Sequence, residues 1–255
     1  MKIALIQSDL VWENVEKNRT SFEAKINSIV EEVQLIILPE MFTTGFSMHA
    51  TSQAETMRGE TISWMKNLAK HRNLALTGSL IITDNGNFYN RLVFVFPSGE
   101  VQFYDKRHLF TLANEDQCYT KGTSKLIVDY LGFKICPLIC YDLRFPVFSR
   151  NTENYDVLIY VANWPKIRTQ AWNALLKARA IENVCYSIGV NRVGIDAHNF
   201  EHVGHSQVND YLGNSILSPQ ENEGIFIVNI DKTELVKTRK KVAFLEDQDE
   251  FTIRY

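Results

Sequence analysis

The chain is expected to fold as an α/β protein whose strands are buried on both faces and covered by helices. Three observations lead there. Short apolar runs alternate along the whole length with stretches whose apolar residues recur every three or four positions. Runs such as 35–38 and 157–162 are apolar at nearly every position, the pattern of strands with no solvent face. At 255 residues, with no linker or low-complexity tract, the chain reads as one domain over 1–255, since α/β folds commonly run to about 200–250 residues as a unit.

Taken in order, residues 3–7 read as a strand. Residues 12–32 read as a helix, with Val15, Phe22, Ile26, Ile29 and Val30 at helical spacing. A strand at 35–38 is followed by a helix at 60–72, with Ile62, Met65, Leu68 and Ala69 on one face, and by a strand at 74–82. Asn85-Gly86 is a hairpin turn signal. Residues 88–96 and 100–104, joined by Pro97-Ser98-Gly99, read as an antiparallel pair. The rhythm then repeats: a strand at 133–139, a short helix at 146–152, a strand at 157–162, a helix at 171–183 and a strand at 185–191. Residues 206–208, 215–217 and 224–230 read as a closing meander, and 244–255 as an acidic and then aromatic tail.

Composition excludes several function classes. A 45% hydrophobic, 22% charged chain is ordinary for a globular protein. A formal net charge of −3 gives no reason to expect nucleic acid or acidic membranes as partners. Residues 1–7 enter a strand pattern at once and lack the regions of a signal peptide. The longest apolar runs fall short of the roughly 18 residues of a membrane span. Four cysteines are too few for a disulfide scaffold and would stay reduced in the cytosol. The expectation is a cytoplasmic protein.

Three reactive side chains sit at or near strand ends. Cys140 ends the run Phe133-Lys134-Ile135-Cys136-Pro137-Leu138-Ile139-Cys140, Glu40 ends Leu35-Ile36-Ile37-Leu38-Pro39-Glu40, and Lys106 lies just past the 100–104 strand. A thiol needs a proton acceptor to become a nucleophile at neutral pH. Glu40, desolvated at the end of an apolar strand, suits that task. Lys106 and a backbone N–H in the turn after Cys140 suit the oxyanion of acyl transfer. The set fits attack on an amide or nitrile carbon through a thioester that water then hydrolyses. The same residues also have plain readings: Glu40 as a structural hydrogen-bond partner, Lys106 as part of a solvated cluster with Asp105, Arg107 and His108. Cys118, Cys136 and Cys185 read as small buried hydrophobes. His198, His202 and His205 read as loop histidines at the pocket mouth, with no zinc-ligand pattern around them, and no metal or cofactor is expected.

Three ordered stretches turn the balance: Leu38-Pro39-Glu40-Met41-Phe42, Tyr104-Asp105-Lys106-Arg107-His108-Leu109-Phe110 and Cys140-Tyr141-Asp142-Leu143-Arg144-Phe145-Pro146. Together they resemble the nitrilase superfamily, the carbon–nitrogen hydrolases. Tyr160-Val161-Ala162-Asn163-Trp164-Pro165, Ala178-Arg179-Ala180-Ile181-Glu182-Asn183 and Asn191-Arg192-Val193-Gly194 extend the likeness to nearly the whole chain. The resemblance implies an α-β-β-α sandwich, a homodimer or larger homo-oligomer, Glu40 as general base and acid, Lys106 as oxyanion stabiliser and Cys140 as nucleophile, with the Tyr141 N–H sharing the oxyanion. It also implies a second glutamate, here Glu115 with Asp116 as rival, orienting Lys106 or the substrate amide.

Glu-Met-Phe-Thr-Thr-Gly-Phe at 40–46, the short 110–115 connection and Ala-Asn-Trp-Pro resemble the bacterial omega-amidase branch, which deamidates 2-oxoglutaramate and 2-oxosuccinamate. Such an enzyme must hold a small keto acid. Arg168, Arg192 and Arg144 are the candidate cations, and Phe42, Tyr141 and Trp164 the candidate walls. Arg144 is also expected to pair with Glu182 and fix the turn after Cys140. Three rivals stand: another amidase of the superfamily, acting on carbamoyl-amino acids, deaminated glutathione or a nitrile; a non-catalytic interaction protein on the same fold; and an ammonia-donating glutaminase needing a separate synthetase.

Overall fold

A computed structural model describes residues 1–254. The strands are β1 Lys2–Gln7, β2 Leu35–Ile37, β3 Ala75–Asp84, β4 Asn87–Val95, β5 Val101–Asp105, β6 Val128–Tyr130, β7 Phe133–Ile139, β8 Val157–Ala162, β9 Tyr186–Asn191, β10 Val193–Ile195, β11 Glu201–Val203, β12 Ser206–Asn209, β13 Ser215–Gln220 and β14 Gly224–Asn229. The α-helices are α1 Val15–Asn27, α2 Ala50–Gln53, α3 Glu60–Arg72, α4 Glu115–Cys118, α5 Thr169–Asn183 and α6 Lys232–Val242. Two six-stranded sheets form, in the orders β14-β1-β2-β3-β4-β5 and β13-β12-β9-β8-β7-β6. Each has three parallel strands at its heart, β1-β2-β3 and β7-β8-β9, extended by antiparallel neighbours. The remaining β10 and β11 make a separate hairpin.

The sheets face each other across one apolar core. Ile3, Leu5, Ile37 and Phe94 of the first meet Ile135, Ile139, Val161 and Val190 of the second. The other face of the first sheet buries Ile36, Leu76 and Val93 against Phe22 and Ile26 of α1 and Ile62, Met65 and Leu68 of α3. On the second sheet Gly189 lets α5 come close: a Cβ there would lie 2.4 Å from Leu176 and 2.6 Å from Trp172. The helix–sheet–sheet–helix order matches expectation, and the continuous apolar strands follow from it, because each sheet is covered on both sides. No helix among the described residues is long and apolar enough to cross a membrane.

Local chemistry explains the departures from the sequence reading. Helix α1 spans Val15–Asn27, not 12–32: the Asn14 side chain caps its start by accepting from Lys17 N–H, and Ser28 closes its end. Val30 is 97% exposed and takes no part in the apolar face. Residues 146–152 make turns rather than a helix. Their backbone contacts Ser149 N to Phe145 O and Arg150 N to Val147 O are long at 3.3 Å, and Asn151 spends its side chain on the Tyr155 and Asn183 carbonyls. There is no closing meander. Strand β14 leaves β13 and pairs antiparallel with β1 in the opposite sheet, Lys2 against Asn229 through Gln7 against Gly224. Helix α6 escapes notice because it is Lys-rich and buries a single side chain, Leu235.

One glycine positions chemistry. Gly122 N–H donates to the Lys106 carbonyl at 2.9 Å. A Cβ at this position would lie 2.0 Å from the Asp105 carbonyl oxygen, a backbone atom with nowhere to retreat. Gly122→Ala is expected to lower unfolding stability by about 1–3 kcal/mol, read as a fall in the urea midpoint, and to lower activity through the displaced Lys106 segment.

The β10–β11 hairpin holds His202, whose ring is buried. Burial first, then the Arg192 guanidinium, push its pKa down to about 4, against the smaller opposing effect of Asp196. The ring is therefore neutral at neutral pH, and its 3.9 Å approach to Asp196 is not an ion pair there. In the unfolded chain the imidazole protonates below its ordinary 6.5, in the folded chain only below about 4. Between those values the unfolded state binds more protons, so stability falls as pH drops through the window, by about 3 kcal/mol in all. His202→Gln is expected to remove most of that loss when urea midpoints at pH 7 and pH 4.5 are compared; an equal drop in both proteins would sink the assignment.

Candidate active site

The site collects at the C-terminal ends of the central parallel strands, where open α/β sheets expose side chains. Glu40 follows β2, Cys140 follows β7, Asn163 follows β8, and Lys106 follows β5 at the edge of the first sheet. Two of these residues lie at left-handed bends. Cys140 has φ 44°, and Met41, next to Glu40, has φ 43°. Non-glycine residues avoid this region unless the surroundings enforce it.

Asp142 enforces the bend at Cys140. Its buried carboxylate accepts from Ile139 N–H at 3.0 Å, Tyr104 O–H at 2.8 Å, His108 N–H at 3.0 Å and His108 Nδ1 at 2.8 Å. The first bond tightens the nucleophile turn of the second sheet. The others fasten that turn to the end of β5 and the segment carrying Lys106. The His108 ring stacks on Phe145 with centroids 3.7 Å apart.

Lys106 lies between two carboxylates. Its Nζ is 2.9 Å from Glu40 Oε1 and 2.9 Å from both oxygens of Glu115, and all three side chains are at most 1% exposed. Asn90 Nδ2 donates to both carboxylates, at 2.8 Å to Glu40 and 3.2 Å to Glu115. Phe110 N–H donates to Glu115 at 2.6 Å, and Asn163 N–H donates to Glu40 Oε2 at 2.8 Å. Burial alone would lower the Lys106 pKa, but Glu115 and Glu40 more than offset it and hold it above the ordinary lysine value, so the ammonium stays charged. Burial raises Glu115, opposed by Lys106 and helped by Glu40. The rival Asp116 is exposed, and its carboxylate accepts from the neighbouring Gln117 side chain.

The Cys140 thiol reaches this cluster. It shares the lining of one cavity with Glu40, Lys106 and Asn163, and the Glu40 and Lys106 charges both act on it. The residue is partly accessible from the cavity, while protein packed around its sulfur desolvates the thiolate. Burial first and the Glu40 charge second raise its pKa well above the ordinary thiol value, against the pull of Lys106. At rest it is a thiol beside a proton acceptor. Cys136 and Cys185 are fully buried and their thiols are pushed up by burial, as small core residues are; Cys118 is half-buried.

A narrow cavity of about 100 Å3 opens onto Cys140. Tyr141, Trp164 and Arg168 line it, as do Phe46, Phe110, Arg144 and Asn163. Phe42 and Arg192, expected as substrate contacts, do not. The bend at Met41 carries Phe42 to the helix-covered face, where it packs edge-on against Phe22 at 5.4 Å. Arg192 is 1% exposed and is committed to Asp9 at 2.7 Å and the carbonyl of Val193 at 3.0 Å. Arg144 does not pair with Glu182: Arg179, one helical turn earlier on α5, takes that carboxylate at 2.9 Å and donates to Leu143 O at 2.6 Å. Arg144 instead lies over the Trp164 ring at 5.0 Å and Arg168 over the Phe110 ring at 5.2 Å. Neither guanidinium has a carboxylate partner among the described residues. His198 and His202 line the cavity from the β10–β11 hairpin, with Asp196 and Phe200, whereas His205 turns away to Asn173. Among the described residues no group of three or more His, Cys, Asp or Glu could hold a metal.

Sequence reasoning missed Asn90, Asn163, Phe46 and, on the hairpin, Asp196 and Phe200; His198 and His202 are where loop histidines at the pocket mouth were expected. Asn163 had the same signal as Glu40 and Cys140, a polar residue ending an apolar strand. Asn90 was visible as a polar residue inside an otherwise apolar strand. The hairpin carried no such mark.

Comparison with known proteins agrees with this geometry. The chain is 40% identical over 254 residues to an omega-amidase of Escherichia coli strain K12, covering 99% of this chain and 98% of that protein. It is 31% identical over 250 residues to a 2-oxoglutaramate amidase of Bacillus subtilis, covering 96% of each. Its fold superposes on a CN-hydrolase superfamily protein of Xanthomonas campestris with TM-score 0.97 at 38% identity, over 100% of this chain and 99% of that one, a structure with an arsenic adduct in its active site. With the carbon–nitrogen hydrolase family model matching residues 2–240, the chain belongs to that family, as an amide-hydrolysing enzyme of the nitrilase superfamily.

Proposed function

We propose that the protein hydrolyses the terminal amide of a short omega-amide carrying a carboxylate at its far end, 2-oxoglutaramate or 2-oxosuccinamate, through a thioester on Cys140. The observation that carries this reading is the Cys140 thiol beside the buried Glu40–Lys106–Glu115 cluster at one end of the cavity, with Arg144 and Arg168 free of carboxylate partners along its wall. The omega-amidase and 2-oxoglutaramate amidase relatives support the substrate class.

Glu40 takes the Cys140 proton as sulfur attacks the amide carbon. The carbonyl electron pair moves onto oxygen, where the Lys106 ammonium and the Tyr141 N–H receive it. The tetrahedral centre collapses, the carbon–nitrogen bond breaks with its pair on nitrogen, and Glu40 returns the proton so that ammonia leaves. Water then attacks the thioester, with Glu40 again as base, and thiol and acid are released. Glu115 holds the Lys106 ammonium with both carboxylate oxygens and keeps it charged. Arg168, with Arg144 beside it, receives the distal carboxylate.

Cys140→Ala is expected to lower ammonia release by about 10⁴-fold or more across a panel holding both omega-amides, a carbamoyl-amino acid, deaminated glutathione and a nitrile. Retention of full activity would end the cysteine mechanism. A preference for one of the last three compounds would move the substrate assignment to another amidase of the superfamily.

Arg168→Ala, and separately Arg144→Ala, are expected to raise KM for the carboxylate-bearing amides by about 10–100-fold, the loss of one charge-assisted hydrogen bond. Neither should alter kcat/KM for an uncharged amide such as propionamide by more than about twofold. Equal losses on both substrates would show the arginines to be structural.

A further inference from the structure

Asn163 holds three roles in one residue, and only two are filled. Its main-chain N–H donates to Glu40 Oε2 at 2.8 Å, and its Nδ2 donates to the Glu40 carbonyl at 2.6 Å. Its remaining polar atom, Oδ1, is buried and has no hydrogen-bond partner among the described residues. The residue is only 8% exposed, yet it lines the cavity alongside Cys140, Glu40 and Lys106. Leaving a buried acceptor unpaired costs free energy in the resting protein, so such an atom calls for an occupant that donates to it. Rotating the amide by half a turn does not solve the problem, because Nδ2 would then leave the Glu40 carbonyl and Oδ1 would face another acceptor.

We infer that Asn163 Oδ1 is a further catalytic contact: it accepts a hydrogen bond from the N–H of the scissile amide and so selects amides over esters of the same acid. The inference rests on the proposed acyl transfer to Cys140. Every other polar group facing the reacting carbon serves a different atom. Lys106 and the Tyr141 N–H serve the carbonyl oxygen, and Glu40 exchanges its proton first with sulfur and then with the leaving nitrogen. A primary amide brings two N–H donors. When Glu40 is protonated and aimed at the nitrogen lone pair, it donates to that nitrogen and cannot also accept from it. Asn163 Oδ1, held beside Glu40 by the bonds to that residue, accepts an N–H and keeps the nitrogen lone pair turned toward the Glu40 proton. No covalent bond to Asn163 forms, and ammonia leaves with the hydrogen bond until it diffuses away. An ester presents no hydrogen there and leaves Oδ1 unpaired, the condition under which sites reject analogues lacking a donor most strongly.

The test is the ratio of kcat/KM for the best-cleaved amide of the panel to that for the methyl ester of the same acid. In Asn163→Ala this ratio is expected to fall by about 10–100-fold beyond any loss common to both substrates. Common loss reports the missing Nδ2 contact to Glu40; the ratio reports Oδ1. Asn163→Asp keeps an acceptor of the same reach and is expected to retain the wild-type ratio while losing overall rate. Binding gives an independent measure that needs no turnover. In a Cys140→Ala background, Asn163→Ala should weaken the amide and leave the ester unchanged by calorimetry. Near-UV circular dichroism of each variant checks the fold. A ratio unchanged within twofold in Asn163→Ala, or equal weakening of amide and ester in the inactive background, overturns the inference. Neither result touches the cysteine mechanism, which stands or falls on Cys140→Ala alone.

Discussion

Everything at the reactive end of this protein depends on one buried ammonium held between two carboxylates. Lys106, Glu40 and Glu115 have at most 1% exposure, and none could be buried alone, since an uncompensated charge in the interior costs several kcal/mol. Pairing solves the desolvation problem for Lys106 and leaves one negative charge over. The donors from Asn90, Phe110 and Asn163 spread that excess across two sheets and a loop. The excess is chemically useful. A thiolate created by losing a proton to bulk water would bring the cluster to two net negative charges, and burial and Glu40 both raise the thiol pKa against it. Passing the proton to Glu40 instead moves charge without adding any. Low dielectric thus favours internal transfer over ionisation, which makes a high-pKa thiol compatible with the proposed nucleophilic role.

The second constraint is geometric. Cys140 belongs to one sheet and Lys106 to the other, so the proposed reaction depends on how firmly the two sheets are registered at their ends. The apolar core between them sets their separation but is non-directional. Asp142 supplies the direction. It accepts four hydrogen bonds, one from its own turn and three from Tyr104 and His108 on the opposite sheet's edge. With all its acceptor positions used, the turn has one conformation available, and that conformation includes the left-handed Cys140. A strained backbone persists where its surroundings over-determine it, and the Asp142 network is the structure doing so.

Much of this was legible in the sequence, for a physical reason. A polar residue at the end of an apolar strand has few places to go, so Glu40, Lys106 and Cys140 declared themselves, and the family motifs added Glu115. The sandwich followed from strands with no solvent face. What stayed hidden depends on side-chain direction and on long-range choice. Phe42 shares a motif with Glu40 but is turned away by a single backbone bend at Met41. Arg192 looked available until Asp9, distant in sequence, claimed it. Glu182 was read as a partner for Arg144, while Arg179 stood one turn away on its own helix, where neighbours at i and i+3 meet. Strand β14 joined the far sheet because β1 offered a free edge, which no local pattern encodes. The segment bearing His198 and His202 was readable as a loop at the pocket mouth, but its pairing as the β10–β11 hairpin was not.

The layout also bears on how a turnover ends. In the proposed reaction the substrate arrives with one carboxylate, placed near Arg168 and Arg144, and a neutral amide placed at Cys140. The product acid carries a second carboxylate formed beside Glu40 and Glu115. That region holds one ammonium for two carboxylates, so the new anion meets net repulsion that the neutral amide did not. At an effective dielectric near 20, like charges about 4 Å apart repel by about 4 kcal/mol before the ammonium's attraction is counted. On the proposed mechanism, the same cluster that accepts the thiol proton therefore expels the acid it helps to make. It also opposes the reverse reaction, since an anionic carboxylate is both a poor electrophile and badly placed next to Glu40. In the proposed reaction the charge that makes Cys140 a nucleophile and the charge that clears the pocket are one and the same.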